Sequence, residues 1–96
     1  MTMPASIAGD MSIGHAGFSP APITPTTATV LVMGAPPHVV GDLIGPHVLG
    51  QAVHTGTVGK ASSTVLAGNK GVARLMDKGD CQSLILGSAG TVMVGG

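Results

Sequence analysis

A repeated segment of 14 residues constrains the fold of this chain more than any other feature. Residues 29–42, TVLVMGAPPHVVGD, align without gaps on residues 64–77, TVLAGNKGVARLMD. The centre of each copy carries a turn signal, Met33-Gly34 in the first and Gly68-Asn69 in the second. Glycine and asparagine accept the positive φ that a tight hairpin turn requires. Each copy is therefore predicted to be a β-hairpin that ends at an aspartate.

A third copy is split between the two ends of the chain. Residues 4–10, PASIAGD, are similar to the closing half of the first copy, PPHVVGD. Residues 91–96, TVMVGG, are similar to the opening half and stop at the turn. If the two ends pair, one polypeptide forms three similar hairpins around an axis. The prediction is a single domain over residues 1–96 with pseudo-threefold symmetry.

The rest of the composition favours an all-β fold. Phe18 is the only aromatic residue, so the core must be built from aliphatic side chains. The chain contains 16 glycines and 7 prolines, which oppose long helices and favour short strands joined by turns. The segments between the copies, Ser12 to Ala28 and Leu43 to Ser63, are rich in Gly, Pro, Thr and His. We expect them to be irregular connections.

Charged residues are scarce, and this favours a protein that is partly covered by a partner. They make up 8% of the chain, against about a quarter in typical soluble domains. Between Asp10 and Lys60 the only charged side chain is Asp42. There is no basic patch, so nucleic-acid binding is not expected. The N-terminus has no signal-peptide pattern, which predicts synthesis in a cytoplasm.

Three histidines and the single cysteine form a candidate metal site. His15 and His47 each lie five residues after a repeat aspartate, and Cys81 lies four residues after one. Equivalent positions of three symmetric units would meet near the axis, and His54 supplies a fourth ligand. A His₃Cys set satisfies the tetrahedral preference of zinc; iron could use the same ligands but suits a structural site less well. His38 lies inside a repeat, and we expect it to be a surface strand residue.

The repeat aspartates have a different predicted role. Asp10, Asp42 and Asp77 are expected to accept backbone hydrogen bonds in turns rather than to bind metal. Gly9 and Gly41 precede two of them and permit such a turn.

Two other functions are open to a chain of this composition. A small metallohydrolase would need an open zinc position and a nearby carboxylate as general base, but four protein ligands would close the site. A metal-free, glycine-rich β-structural or decoration protein would explain the composition, but it leaves the regular positions of His15, His47 and Cys81 to chance. We therefore expect no enzymatic activity and treat the metal-free protein as the alternative.

The repeat resembles the PAAR-repeat family, named for Pro-Ala-Ala-Arg. The family pattern is roughly TVxVNGxPAARxGD, followed by ligand histidines and a late cysteine. The matching stretches are TVLVMGAPPHVVGD, TVLAGNKGVARLMD, PASIAGD and TVMVGG, and the segments GHAG, GPH, VHTG and GDC match the family's metal ligands. The resemblance covers essentially the whole chain. No copy reads PAAR in full: Ala73-Arg74 remains in the later copy, and Pro37-His38-Val39 replaces Ala-Ala-Arg in the earlier one.

This resemblance implies a short cone of three β-hairpins with a zinc ion near its vertex. The base of such a cone sits on a trimeric β-helical spike, one chain per trimer, in a contractile phage tail or a type VI secretion system. It implies a protein made in the bacterial cytoplasm and carried on a virion tail tip or secretion spike to the target cell envelope, where it touches the membrane transiently. No toxin domain is expected beyond Gly96, although effector proteins can ride on such a spike.

Overall fold

A computed structural model describes residues 2–13, 20–27, 30–49, 52–79 and 83–95, with the backbone alone at 47–49, 52–54 and 90–91. The prediction of an all-β fold is confirmed, because the described residues form strands and turns. These residues contain no helix that is long and apolar enough to cross a membrane. The strands are β1 (Met3–Ala5), β2 (Met11–Ile13), β3 (Ala21–Thr24), β4 (Leu43–Leu49), β5 (Ala52–Thr57), β6 (Leu66–Ala67), β7 (Lys70–Gly71), β8 (Leu84–Ile85) and β9 (Ala89–Val94).

The first and last strands pair with each other, as the split repeat predicts. β1 and β9 are antiparallel, with Met3 opposite Val94 and Pro4 opposite Met93. The register shifts between Pro4 and Ala5, so that Ala5 lies opposite Ala89. The two halves of the split copy are therefore adjacent in space although they are at opposite ends of the sequence.

Both predicted hairpin turns are confirmed by the backbone. Val32 and Ala35 pair across Met33-Gly34, whose φ angles are 52° and 83°. β6 and β7 pair across Gly68-Asn69, whose φ angles are 59° and 65°. Positive φ at both central residues is the mark of the type I′ turn, which matches the twist of the adjoining strands.

The expectation that the two connecting segments are irregular is wrong. They supply β3, β4 and β5 and most of β2, and these four strands with β8 form a five-stranded antiparallel sheet in the order β5-β4-β3-β2-β8. In β3 the buried residues Ala21 and Ile23 alternate with the exposed residues Pro22 and Thr24. The many prolines and glycines hid this two-residue alternation, since proline's fixed φ is compatible with an extended strand.

The five-stranded sheet is curled into a half-barrel. Just after β5, Val58 pairs with Gly79, and at the start of β8, Leu84 pairs with Lys78. The segment 78–79 therefore lies between the two edge strands. Such pairing covers backbone groups that an open edge would leave exposed.

Buried aliphatic side chains form two separate clusters. The first, which we call the repeat core, belongs mainly to the repeat segments and contains Ala5, Val39, Ala67, Val72, Ala89 and Val94. The second, the barrel core, lies inside the curled sheet and contains Ala21, Ile23, Ile44, Val58, Ala73 and Ile85. Among the described residues, both clusters consist of aliphatic side chains.

Candidate functional site

The three repeat aspartates close three equivalent turns, which we call the aspartate turns: residues 4–10, 36–42 and 71–77. Each carboxylate accepts a hydrogen bond from the backbone N–H three residues earlier. The distances are 3.0 Å for Ile7 to Asp10, 2.9 Å for Val39 to Asp42 and 2.9 Å for Arg74 to Asp77. The N–H of each aspartate donates in return to the carbonyl of the same partner. A short polar side chain that bonds its own backbone in this way holds a tight turn in place.

The residue before each aspartate has positive φ. The angles are 98° at Gly9, 91° at Gly41 and 75° at Met76. This is the third position of a type II turn, where glycine is preferred because it has no Cβ. Met76 therefore occupies a backbone conformation that is unfavourable for its side chain.

Each aspartate also binds a second group outside the turn backbone. Asp10 accepts the Ser88 N–H at 2.9 Å, and Asp42 accepts the Thr26 hydroxyl at 2.6 Å. In the third turn the second partner is the guanidinium of Arg74, described next. The aspartates thus connect the turns to neighbouring segments as well as closing them.

Arg74 and Asp77 form a buried, bidentate ion pair. Nε donates to Oδ2 at 2.9 Å and Nη2 donates to Oδ1 at 3.0 Å. This hydrogen bonding raises the pKa of Arg74 above its ordinary value, although burial opposes it. A third guanidinium nitrogen, Nη1, donates to the Gly95 carbonyl at 3.1 Å, and the Ser62 hydroxyl donates to the same oxygen at 2.6 Å. Arg74 therefore links its turn to the end of β9.

The aspartate turns are joined to one another by a closed ring of backbone hydrogen bonds. The N–H of Ser6 donates to the Ala73 carbonyl at 2.9 Å, that of Ala73 to the His38 carbonyl at 2.8 Å, and that of His38 to the Ser6 carbonyl at 2.9 Å. Each of these residues lies four positions before its aspartate. We call them the axial residues, and all three are completely buried.

A second ring repeats the pattern at another level of the turns. In each turn the N–H two residues before the aspartate donates to the carbonyl six residues before the next aspartate. The bonds run from Ala8 to Pro36 at 2.8 Å, from Val40 to Gly71 at 3.0 Å and from Leu75 to Pro4 at 2.9 Å. The three turns therefore make the same contacts in cyclic order.

The prediction that His38 is a surface residue is wrong. Its exposed fraction is 0%, and Nδ1 lies 2.7 Å from the Ser6 hydroxyl. The other ring nitrogen, Nε2, is buried and has no hydrogen-bond partner among the described residues. Burial lowers the pKa of His38, and this outweighs the opposing influence of Asp42, Asp10 and the Ile23 carbonyl. His38 is buried because its position in the repeat places it in the axial ring, where Ala73 and Ser6 are its equivalents.

The predicted metal ligands are only partly within the described structure. His15 and Cys81 lie outside the described residues, and for His47 and His54 the backbone alone is described. The two histidines are direct register partners of the β4–β5 pair. Directly opposed residues of antiparallel strands have Cβ atoms about 4.5–5.5 Å apart. Within the described part of the chain there is no group of three or more potential metal ligands.

The register that pairs these histidines depends on an irregularity in β4. Ile44 lies opposite Gly56, but three residues later His47 lies opposite His54, only two residues earlier on β5. One extra residue is therefore accommodated in β4. With a regular ladder, Pro46 rather than His47 would face His54.

Four strand ends that contain or adjoin the predicted ligands in the sequence lie at one end of the curled sheet. The end of β2, the end of β4, the start of β5 and the start of β8 share this end, because neighbouring strands are antiparallel. In the sequence, His15 follows the last residue of β2 by two positions, and Cys81 precedes the first residue of β8 by three. This placement is compatible with a shared metal ion.

Buried serines join β2 to the start of β8. The Ser12 hydroxyl of β2 donates to the Ser83 hydroxyl at 2.7 Å and to the Leu84 carbonyl at 3.2 Å. The N–H of Gly79 donates to the Ser83 carbonyl at 2.9 Å. The sequence did not single out these serines or Ser6. The only signal for Ser6 was its position four residues before Asp10.

No protein-family model matches this chain, and no curated protein matches its sequence.

Proposed function

We propose that this protein is a structural tip that caps and sharpens the trimeric β-helical spike of a contractile injection machine. It would belong with PAAR-repeat proteins and form a small cone of three β-hairpins with pseudo-threefold symmetry. The observation that carries the proposal is the pair of hydrogen-bond rings, in which three turns from one chain make equivalent contacts in cyclic order.

Cyclic order matters because it gives a single chain three equivalent surfaces. A homotrimer with closed symmetry presents each surface patch three times around its axis. A partner without internal repetition could match only one of the three patches and would leave the other two unmatched. One chain with three similar hairpins can contact all three subunits alike, which favours one chain per spike trimer.

Exposed aliphatic side chains at equivalent repeat positions support such a partner. Leu31, Leu66 and Met93 each occupy the third position of the opening Thr-Val-x-(Val/Ala) segment, and their exposed fractions are 61%, 56% and 50%. The residues that follow them, Ala67 and Val94 in two of the copies, are buried in the repeat core. Apolar groups that recur on a surface are typical of a site covered by another protein.

The proposed metal is zinc, held by His15, His47, His54 and Cys81. The proposal is supported by the register of His47 and His54 and by the position of the strand ends. Structural zinc contributes binding free energy directly to folding, on the order of 10 kcal/mol. Such stabilisation would suit the vertex of the proposed cone, where few aliphatic side chains could be packed.

A structural role follows from the same ligand set. Four protein ligands complete the tetrahedral coordination of zinc and leave no position for water or substrate. The three repeat aspartates are engaged in turns, as their hydrogen bonds describe. We therefore propose mechanical piercing of the target envelope and no catalysis.

The decisive experiment is native mass spectrometry of the tagged protein purified from the bacterium that produces it, combined with elemental analysis. We expect a complex of three spike chains and one copy of this chain, with one zinc ion. Several copies per trimer would reject the cap, and absence of zinc and iron would favour the metal-free decoration protein. The variant Leu31→Asp/Leu66→Asp/Met93→Asp should lose the spike but keep its zinc. Leu43→Asp, at an exposed position outside this set, is the matched control and should keep both.

A further inference from the structure

His38 is a titratable side chain in a place where a charge cannot be solvated. It is completely buried, and its neighbours in the axial ring are Ser6 and Ala73, neither of which carries a charge. Nδ1 is bonded to the Ser6 hydroxyl, whereas Nε2 has no partner among the described residues. A protonated imidazole would place a charge at a completely buried position, where it lacks the solvation that water provides.

The charged side chains near His38 do not compensate for the burial of a protonated imidazole. The carboxylates of Asp42 and Asp10 favour the protonated form, but each is already bound to backbone N–H groups. In the third turn Arg74 is paired with Asp77, so that these two charges balance each other. The Ile23 carbonyl of β3 also favours the protonated imidazole but does not outweigh burial, and β3 contains no titratable side chain.

We propose that His38 is a pH-sensitive latch: its neutral imidazole keeps the three aspartate turns together, and its protonation in mild acid loosens them. The site of action is the ring itself, because the His38 backbone both donates to Ser6 and accepts from Ala73. Charging the side chain places an unpaired cation where the three turns meet. This inference rests on the fold and is independent of the metal and of the proposed spike partner.

The direction of the pH effect on folding stability follows from the lowered pKa of His38. Burial lowers the pKa of His38 below the ordinary value of about 6.5. Between pH 6.5 and the lower pKa of the folded state, the unfolded chain binds more protons than the folded chain. Stability is therefore unaffected above pH 6.5 and falls as the pH drops below it, with the folding equilibrium constant decreasing by up to about tenfold per pH unit.

The test is to measure urea unfolding of the wild type and of His38→Gln from pH 7.5 to pH 4.5. Glutamine does not titrate, and both proteins contain the remaining histidines and the same metal site. The ratio of their folding constants therefore isolates the His38 proton. We expect the ratio of the wild-type folding constant to that of His38→Gln to be constant above pH 6.5. Below pH 6.5 this ratio should decrease by up to about tenfold per pH unit, because only the wild type loses stability through the His38 proton. A ratio that stays constant over the whole range would overturn the proposal.

Ser6→Ala is the matched control, because it removes the hydroxyl partner but keeps the titrating ring. Its stability should still fall below pH 6.5, as that of the wild type does, and loss of this fall would contradict a proton-linked effect. If His38→Gln does not fold, the imidazole of the wild type can be titrated by NMR. A folded-state pKa at or above 6.5 would then refute the latch, and a lower one would support it.

Discussion

Replacing Gly41 with alanine should destabilise the protein through its backbone alone. Gly41 has φ of 91° in the second aspartate turn, and a Cβ built on it meets nothing within 4 Å. The cost is therefore conformational and not steric. A left-handed conformation costs an L-residue about 1–2 kcal/mol, and the reduced freedom of the unfolded chain returns about 0.4–1 kcal/mol. The net loss should be about 1 kcal/mol.

The third turn provides the opposite substitution at the equivalent position. Met76 has φ of 75° and is 57% exposed, so Met76→Gly should relieve the unfavourable conformation while removing few contacts. Relief of the left-handed conformation contributes about 1–2 kcal/mol, and the greater freedom of glycine in the unfolded chain offsets about 0.5–1 kcal/mol of this. The net stabilisation should be about 0.5–1 kcal/mol. One kcal/mol corresponds to about 4–8 °C in Tm for a domain of this size.

Thermal unfolding followed by circular dichroism checks both changes, with the same excess of zinc in every sample so that any bound metal contributes equally to every variant. We expect Tm to fall for Gly41→Ala and to rise for Met76→Gly. Val40→Ala, at the exposed position before Gly41, is the control and should change stability by less than about 0.5 kcal/mol. A lower Tm for Met76→Gly would show that the positive φ at this position does not destabilise the wild-type protein.

Two further substitutions test the metal site and the buried ion pair. Cys81→Ser should lower zinc content and Tm together, because the thiolate would bind the metal and thereby stabilise the fold; an unchanged Tm with retained zinc, measured by elemental analysis, would exclude Cys81 as a ligand. Arg74→Met should cost about 3 kcal/mol in urea unfolding, since it leaves the buried carboxylate of Asp77 without its cation. Adding Asp77→Asn should then cost less than it does in the wild type, and strictly additive losses would contradict a coupled pair.

The candidate metal site shows how far sequence reasoning reaches. Positions after the repeat aspartates predicted His15, His47 and Cys81 as ligands, and His54 was added as the fourth. The resemblance to PAAR-repeat proteins indicated the same four residues. The structure adds that His47 and His54 are register partners. The sequence could not reveal this, because the register depends on an extra residue in β4, and such a residue leaves no pattern in a chain rich in glycine and proline.

Local chemistry alone determined the turns. The pairs Met33-Gly34 and Gly68-Asn69, and the aspartates that close the aspartate turns, act on backbone groups within a few residues of themselves. Their behaviour can therefore be deduced from residue type and spacing. The all-β class follows in the same way from glycine, proline and aliphatic content.

Tertiary structure alone decided the burial of His38 and the pairing of the connecting segments. Both depend on residues that are distant in the sequence: Ser6 and Ala73 surround His38 only when three turns meet, and β2 is flanked by β8 from the far end of the chain. A two-residue alternation does not by itself predict which strand pairs with which, and the sequence around a lone histidine does not predict whether that histidine is buried. The physical reason is that burial is a property of the assembled surfaces and not of any single segment.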